Sequence, residues 1–180
     1  PICSAITIAP NPPAFMPVQA SADSGKLLID IPGWNQPFLM VATLENALGS
    51  NDIGLDRAAN GNPLLVEFRR VGQKAFLVQR NTAFVADSAD ADEARAAKDA
   101  FAESVLWAGP ILPGTPARVD ITALATTDWV GVADRLQATE QGGYRLDGDR
   151  SSIVPNEARS FPDNSDVTAL LTFTGPGQGK

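Results

Sequence analysis

Short apolar runs separated by turn residues dominate the first half of the chain and predict β-strands. Lys26–Ile31 has a mixed alternation of apolar and polar residues, whereas Phe38–Leu44 is apolar on both faces and is therefore predicted to be a central strand. Leu64–Arg70 and Lys74–Gln79 follow, and Val71-Gly72-Gln73 between them is typical of a tight hairpin. These runs predict an antiparallel meander.

The next stretch has helical rather than strand-like spacing. Asp90 is a candidate N-cap, and Glu93 lies three residues later as in a capping box. Apolar residues then recur at helical intervals, at Ala94, Ala97 and Phe101. We predict the main helix over residues 90–103 and a strand over Val105–Leu112, because Pro110 cannot continue a helix.

The last third of the chain predicts shorter elements. Ala117–Ile121 is a predicted strand, and Thr122 and Asp128 are candidate N-caps of two short helices within residues 122–138. Two short strands, Tyr144–Asp147 and Ser152–Val154, are predicted around a hairpin turn at Asp147-Gly148-Asp149. The last predicted strand is Val167–Phe173, which alternates.

Together these elements predict a single α+β domain, built mostly from a twisted antiparallel sheet with one main helix. The domain covers residues 15–174, after an extended Pro-rich lead-in at residues 1–14 and before a frayed C-terminal end at residues 175–180. The predicted core positions share strand-like or helical apolar faces: Leu28, Val41, Val66, Phe68, Leu77, Phe101, Val105, Leu171 and Phe173.

Charge and hydropathy exclude several classes of partner. The chain has 180 residues, a formal net charge of −7 and an isoelectric point of about 4.5. This charge argues against nucleic acid and against a polybasic membrane anchor. No apolar run approaches the roughly 20 residues that a membrane-spanning helix needs. The chain starts at Pro1 rather than Met, which fits a trimmed or mature form that has lost an export signal.

The absence of histidine is the most decisive count. With no His and a single Cys, the chain has neither a Ser-His-Asp or Cys-His catalytic set nor a His- or Cys-based zinc site. We therefore expect no catalytic residue, no metal site and no cofactor within these residues. Cys3 is either a bystander in the lead-in or, as a sharper alternative, a site of lipid attachment.

The Leu48–Arg57 loop between two predicted strands concentrates residues that shape or decorate a surface. Gly49 and Gly54 are predicted to supply a backbone with positive φ. Three oxygen-bearing side chains, Asn51, Asp52 and Asp56, have three interpretations: bonds to their own turn, contact with a neighbouring domain, or calcium binding. We expect Asp52 to bond its turn, and Asp56 and Arg57 to face a partner.

Trp34 and Trp129 are the tryptophans that we expect to be exposed, whereas Trp107 is predicted to lie in the core. An exposed aromatic ring suits a glycan platform, so the two residues are candidate ligand contacts. A pair of carboxylates brought together by the fold is a further alternative, since glycoside hydrolysis needs no histidine.

A series of motifs resembles a bacterial domain of unknown function that lies in the N-terminal half of large exported zinc-dependent metallopeptidases. The resemblance covers roughly residues 15–173. Its motifs are Gly49-Ser-Asn-Asp-Ile-Gly-Leu-Asp-Arg57, Val66-Glu-Phe-Arg-Arg-Val-Gly72, Phe101-Ala-Glu-Ser-Val-Leu-Trp107, Val119-Asp-Ile-Thr122, Tyr144-Arg-Leu-Asp147, Arg150-Ser151, Ser160-Phe-Pro-Asp-Asn164 and Leu171-Thr-Phe173.

The resemblance implies a non-catalytic accessory domain. Such a domain would pack against the catalytic domain of the same polypeptide and shape substrate access or folding. Zinc is then expected only in that catalytic domain, whose metzincin-like H-E-x-x-H motif lies outside these residues. The implied location is periplasmic or extracellular. The alternatives are a stand-alone module that binds peptide or glycan, and a hydrolase that uses an acid pair.

Overall fold

A seven-stranded antiparallel sheet forms the centre of the protein in a computed structural model that describes residues 14–49, 52–82, 90–100 and 102–176. The strand order is β1-β2-β7-β6-β5-β4-β3. Its strands are β1 (Val18–Ala20), β2 (Leu27–Asp30), β3 (Pro37–Met40), β4 (Leu64–Val71), β5 (Lys74–Gln79), β6 (Ser104–Leu112) and β7 (Arg118–Asp120).

The remaining elements are short. Helix α1 spans Ala91–Ala100, and α2 and α3 span Thr122–Ala125 and Val132–Ala138. The strands β8 (Arg145–Ile153) and β11 (Ala169–Thr174) form one two-stranded ribbon, and β9 (Arg159–Ser160) and β10 (Ser165–Asp166) form another, after a single 3₁₀ turn at Pro155–Glu157. The protein is thus a single domain, mostly antiparallel sheet and richer in sheet than a balanced α+β fold.

Most predicted elements are present at nearly the predicted positions. The β4–β5 hairpin turns at Gly72, and the short helices lie within residues 122–138. Helix α1 ends at Ala100, before the predicted boundary at 103. Residues 1–13 and 177–180, which hold most of the predicted lead-in and C-terminal end, lie outside the described residues. No helix in the described ranges is long and apolar enough to cross a bilayer.

The prediction that Phe38–Leu44 is a central strand is wrong. Strand β3 ends at Met40 and lies at the edge of the sheet beyond β4. The run is apolar on both faces, but no described residue covers its outward face: Leu39 is 69% exposed and Val41 is 51% exposed. Apolar alternation therefore does not distinguish a central strand from an uncovered edge strand.

The segment predicted as two short strands around a hairpin is one strand with a bulge. In β8, Asp147 pairs with Thr172 and Ser152 with Leu170, so four residues of β8 lie opposite one residue of β11. Asp147 holds the bulge, because its carboxylate accepts hydrogen bonds from Arg150 N (3.1 Å) and Arg150 Nε (2.9 Å). The hydrogen bond from Arg150 lowers the pKa of Asp147 below its ordinary value.

The core lies on one face of the seven-stranded sheet. Leu27 and Ile29 reach it from β2, and Val119 reaches it from β7. Val66, Phe68 and Leu77 are buried there as predicted, on neighbouring strands β4 and β5. Because side chains alternate across a strand, these residues share one face and the residues between them, such as Glu67, point to the other.

Five predicted core residues lie elsewhere, and Phe101 falls outside the described residues. Val41 and Val105 are exposed, and Val105 reaches 56% exposure on the outer face. The other three, Leu28, Leu171 and Phe173, are half-buried and do not belong to the core cluster. Leu28 lies on the face of β2 opposite Leu27 and Ile29, and Leu171 lies opposite the β8 bulge.

Each short helix begins after an aspartate whose carboxylate accepts the first backbone N–H groups. For α3 it is Asp128, the candidate that the sequence indicated, and for α2 it is Asp120 rather than the candidate Thr122. Asp128 Oδ1 accepts hydrogen bonds from Gly131 N (3.0 Å) and Val132 N (2.9 Å), and its Oδ2 accepts one from Ala133 N (3.0 Å). The N-cap position of α3 itself is occupied by Gly131, three residues after Asp128, with φ 76°. A carboxylate at this end also suits the helix dipole.

Asp120 plays the corresponding role for α2. Its Oδ1 accepts hydrogen bonds from Thr122 Oγ1 (2.5 Å) and Thr122 N (3.0 Å). Lys26 Nζ lies 3.5 Å from Asp120 Oδ2. Burial acts to raise the pKa of Asp120, but the Thr122 hydrogen bonds and Lys26 together lower it below its ordinary value. Thr122 is thus the first helical residue, and its hydroxyl also accepts a bond from Leu27 N (2.8 Å).

We predict that Phe68→Ala lowers the free energy of unfolding by about 3–5 kcal/mol, because a fully buried ring is lost from the core. Val105→Ala is the matched control, and it should change that free energy by less than about 0.5 kcal/mol, since Val105 is exposed. Chemical denaturation of both variants measures the difference. Similar costs for the two changes would show that the core is misplaced.

We predict that Asp120→Asn makes stability less sensitive to acid. A carboxyl whose pKa is lowered by folding contributes stability above its unfolded pKa, about 3.9, and loses it as the pH falls through the folded value. The free energy of unfolding of the wild type should therefore fall more steeply below about pH 4 than that of the variant. Asp163→Asn, at an exposed turn, is the control. Parallel pH profiles for Asp120→Asn and the wild type would contradict the assignment.

Candidate functional site

A short backbone ladder between the end of β3 and the start of β4 joins the two segments that flank the Leu48–Arg57 loop. Thr43 and Asn60 form an antiparallel bridge, and next to it Leu44 N donates to Ala59 O (3.0 Å) while Ala58 N donates to Leu44 O (2.8 Å). These bonds hold the two ends of the loop together. The loop is therefore a projection with a fixed base.

Among the described residues of the loop, two have positive φ, and so does the residue that follows it. Gly49 and Gly54 have φ of 76° and 69°, as predicted from the freedom of glycine. Ala58 has φ of 64° as well, and no sequence signal pointed to it. A side-chain-bearing residue rarely adopts this conformation, so the ladder beside Ala58 must hold it there.

One apolar residue secures the loop while its charged residues face solvent. Leu55 is 2% exposed, and Leu48 N donates to Leu55 O (3.1 Å) across the loop. Asp52, Asp56 and Arg57 are exposed. Within the described residues their side chains make no hydrogen bond or ion pair, so the turn bond expected of Asp52 is not found there. Asn51 lies outside the described residues.

A surface cleft of about 730 Å³ lies against the base of this loop. Its lining joins the end of the β3 segment to the end of the loop: Thr43, Leu44, Glu45, Asn46, Ala47, Arg57 and Ala58. Glu45 and Arg57 provide opposite charges, and Thr168 Oγ1 lies 3.4 Å from Glu45 Oε1. The cleft can therefore hold polar or charged groups by hydrogen bonds and ion pairs. The sequence did not indicate residues 43–47, because their grouping depends on the folded backbone.

Trp34 and Trp129 do not form an exposed aromatic surface for glycan binding. Trp34 and Trp129 are both half-buried and pack against the core, as does Trp107, so the predicted exposure of the first two is wrong. Trp129 Nε1 donates to Leu124 O (2.8 Å). Its backbone carbonyl lies so close to Gly61 that a Cβ there would be 2.5 Å from the oxygen. Trp129 therefore supports the base of the loop.

A network of charges on the outer face of the sheet was not apparent from the sequence. Arg69 Nε donates to Glu67 Oε1 at 2.6 Å, and its Nη1 and Nη2 reach the two carboxylate oxygens of Glu103 at 2.5 and 2.8 Å. Arg80 Nη1 lies 3.8 Å from Glu67 Oε2. Alternation along β4 puts Glu67 and Arg69 on one face, but the contribution of Glu103 depends on how β6 pairs with β5.

Arg69 lies between the two carboxylates as an ion-pair partner. Its hydrogen bond to Glu103 raises the pKa of Arg69 above its ordinary value, against the opposing effect of burial, and the bond to Glu67 adds to the rise. Glu67 is 5% exposed, so its charge needs this compensation. A guanidinium between two carboxylates is a structural arrangement, and it gives no support to an acid-pair hydrolase.

The described residues contain no group of three or more His, Cys, Asp or Glu side chains that could hold a metal ion. Asp52 and Asp56 are therefore not joined there by a further such ligand. Calcium binding, one of the three interpretations of the loop, gains no support from the described residues.

The protein is thus a sheet-rich single domain in which the charged Leu48–Arg57 loop lies beside a surface cleft. The chain belongs to the family of domains of unknown function DUF5117, which matches residues 58–180, more than half of its length. The matched span begins at Ala58. It therefore includes Trp129 and the ladder residues that follow the loop, but not the Leu48–Arg57 loop itself. No curated protein and no solved structure matches the chain.

We predict that Gly61→Ala destabilises the protein by about 1–3 kcal/mol, because the added methyl group collides with the Trp129 carbonyl and the backbone must move. Gly148→Ala is the matched control, since a Cβ at that position meets nothing within 4 Å. Its effect should stay within about 1 kcal/mol. Thermal or chemical denaturation of the two variants compares them. Equal stability of Gly61→Ala and Gly148→Ala would mean that Trp129 does not support the loop base.

Proposed function

We propose that this chain is a non-catalytic accessory domain that packs against the catalytic domain of a zinc-dependent metallopeptidase in the same polypeptide and shapes substrate access or folding. The motif resemblance across residues 15–173 supports this proposal. Membership of a family of domains of unknown function is compatible with it but adds no activity. In this proposal zinc belongs to the catalytic domain alone, and the location is periplasmic or extracellular.

The observation that carries the proposal is the form of the Leu48–Arg57 loop. Buried Leu55 and the ladder at Leu44 hold the described part of the loop in place, while Asp56 and Arg57 extend into solvent without a partner among the described residues. A fixed backbone that displays unpaired charges loses little conformational entropy on binding. Such a surface suits contact with another folded domain.

The opposite charges of the neighbouring residues Asp56 and Arg57 favour binding to one specific partner surface over non-specific electrostatic attraction. A partner must offer a cation and an anion in matching positions, which fixes orientation as well as affinity. The cleft beside Arg57 adds room for a partner side chain. The glycan-binding alternative lacks this support, since Trp34 and Trp129 are packed against the core.

We predict that Asp56→Ala and Arg57→Ala leave the isolated domain as stable as the wild type, within about 0.5 kcal/mol, because both side chains are exposed. In the full-length polypeptide the same changes should weaken the contact with the catalytic domain by about 2 kcal/mol or more if the charge is buried and paired there. Thermal melts of the isolated domain and of the full-length protein, with peptidase activity, measure both effects.

Asp23→Ala is the control, because Asp23 is an exposed turn residue far along the chain from the loop. This change should alter neither the stability of the isolated domain nor the stability and peptidase activity of the full-length protein. If Asp56→Ala and Arg57→Ala destabilise the isolated domain as much as the full-length protein, the loop is only structural. A full-length polypeptide without an H-E-x-x-H motif would remove the proposed catalytic partner altogether.

A further inference from the structure

The two edges of the seven-stranded sheet differ in how their backbone groups are satisfied. At the β1 edge, Val18 N donates to Ser160 Oγ (2.8 Å), and just before the strand Phe15 N donates to Phe161 O (2.9 Å). The β9 segment therefore covers that edge. No described residue covers the β3 edge in the same way.

The hydrogen-bond pattern shows which groups of β3 face outward. Arg80 N donates to Leu65 O, so the backbone of Leu65 faces β5. Antiparallel pairs alternate between hydrogen-bonded and non-bonded positions. Leu39, which pairs with Leu65, therefore directs its N–H and C=O away from β4, and Val41 follows in the same alternation. Neither residue's backbone bonds another described residue.

The side chains of this edge lack the usual protection against pairing. Natural edges are blocked by charged residues, bulges, a covering segment or proline. Here the outward positions are Leu39 and Val41, 69% and 51% exposed, and the proline stands only at the first residue of β3, Pro37. The edge therefore presents backbone donors and acceptors flanked by apolar side chains.

The charges at the carboxyl end of this edge are mostly acidic. Glu45 and Arg57 line the cleft that follows β3, and exposed Asp52 and Asp56 lie on the adjoining loop. The balance of these four groups is negative. A ligand that continues from the edge into the cleft gains from a basic residue there.

We infer that the β3 edge, which no described residue covers, binds an extended polypeptide segment by strand addition, with apolar side chains alternating along the segment and a basic residue reaching the cleft. Backbone groups two residues apart, at Leu39 and Val41, match the repeat of an extended chain. The inference does not rest on the proposed accessory role, because it uses the strand edge rather than Asp56 and Arg57 alone.

A second copy of the chain fits this edge less well. A strand of four residues offers only about 13 Å of edge for pairing, which is short for the contact that must hold two whole domains together. Each copy also carries a formal net charge of −7, so two copies repel. The occupant is therefore a basic, extended segment of another chain or domain.

The test is binding of the peptide Lys-Val-Thr-Val-Thr-Val-Lys-amide, labelled at its N-terminus with fluorescein in place of an acetyl cap, to the purified chain at low salt. Leu39→Pro removes the outward N–H while leaving the β4-facing bonds, since proline is tolerated at a strand edge facing solvent. It should weaken binding at least about fivefold. Leu39→Val keeps the N–H and an apolar side chain, so its affinity should stay within about twofold of the wild type.

Two further measurements test the preference for basic residues and keep the inference testable if Leu39→Pro does not fold. A peptide with glutamates in place of the lysines should bind more weakly than the lysine peptide, and Leu39→Lys should weaken the lysine peptide even if Leu39→Pro fails to fold. The inference is overturned by equal affinity of wild type and Leu39→Pro, or by no saturable binding up to about 1 mM peptide. Sedimentation that shows a wild-type dimer, lost in Leu39→Pro, would also overturn it by assigning the edge to a second copy.

Discussion

The packing of Phe38 on Phe68 is the contact on which the rest of the structure depends. Their rings stack with centroids 5.6 Å apart, and Phe15 meets Phe38 edge-on at 5.9 Å. With Phe38 held inward, the alternation of β3 sends Leu39 outward, and a shift by one residue would reverse both faces. The same register sets where the chain leaves β3, and so it fixes the ladder at Leu44 beneath the charged loop.

Strand β4 transmits this constraint because both of its faces are buried at the centre. Val66 and Phe68 enter the apolar core, while Glu67 between them is buried on the opposite face and is neutralised by Arg69. A buried ion pair of this kind adds little net stability, but it strongly penalises any arrangement that leaves the carboxylate unpaired. Apolar packing on one face and charge pairing on the other therefore specify the same strand position.

The sequence predicts the parts of the fold that local pattern determines. The β4–β5 hairpin, the short helices and the positive φ of Gly49 and Gly54 all follow from residue type and spacing. Long-range placement does not: the apolar run at Phe38 indicates a strand but not its position at the edge. The candidate site divides in the same way, since the exposed charges at Asp56 and Arg57 were recognisable, whereas the cleft and the supporting role of Trp129 depend on the folded backbone.

Hydrogen exchange of individual backbone amides in the isolated protein, followed by NMR, tests the register of β3 most directly. The amides of Phe38 and Met40 face β4 and should exchange slowly, while those of Leu39 and Val41 face outward and should exchange much faster. This alternation follows only if Phe38 packs inward on Phe68. A Leu39 amide that exchanges as slowly as that of Phe38, or the reverse order of protection, would contradict the account.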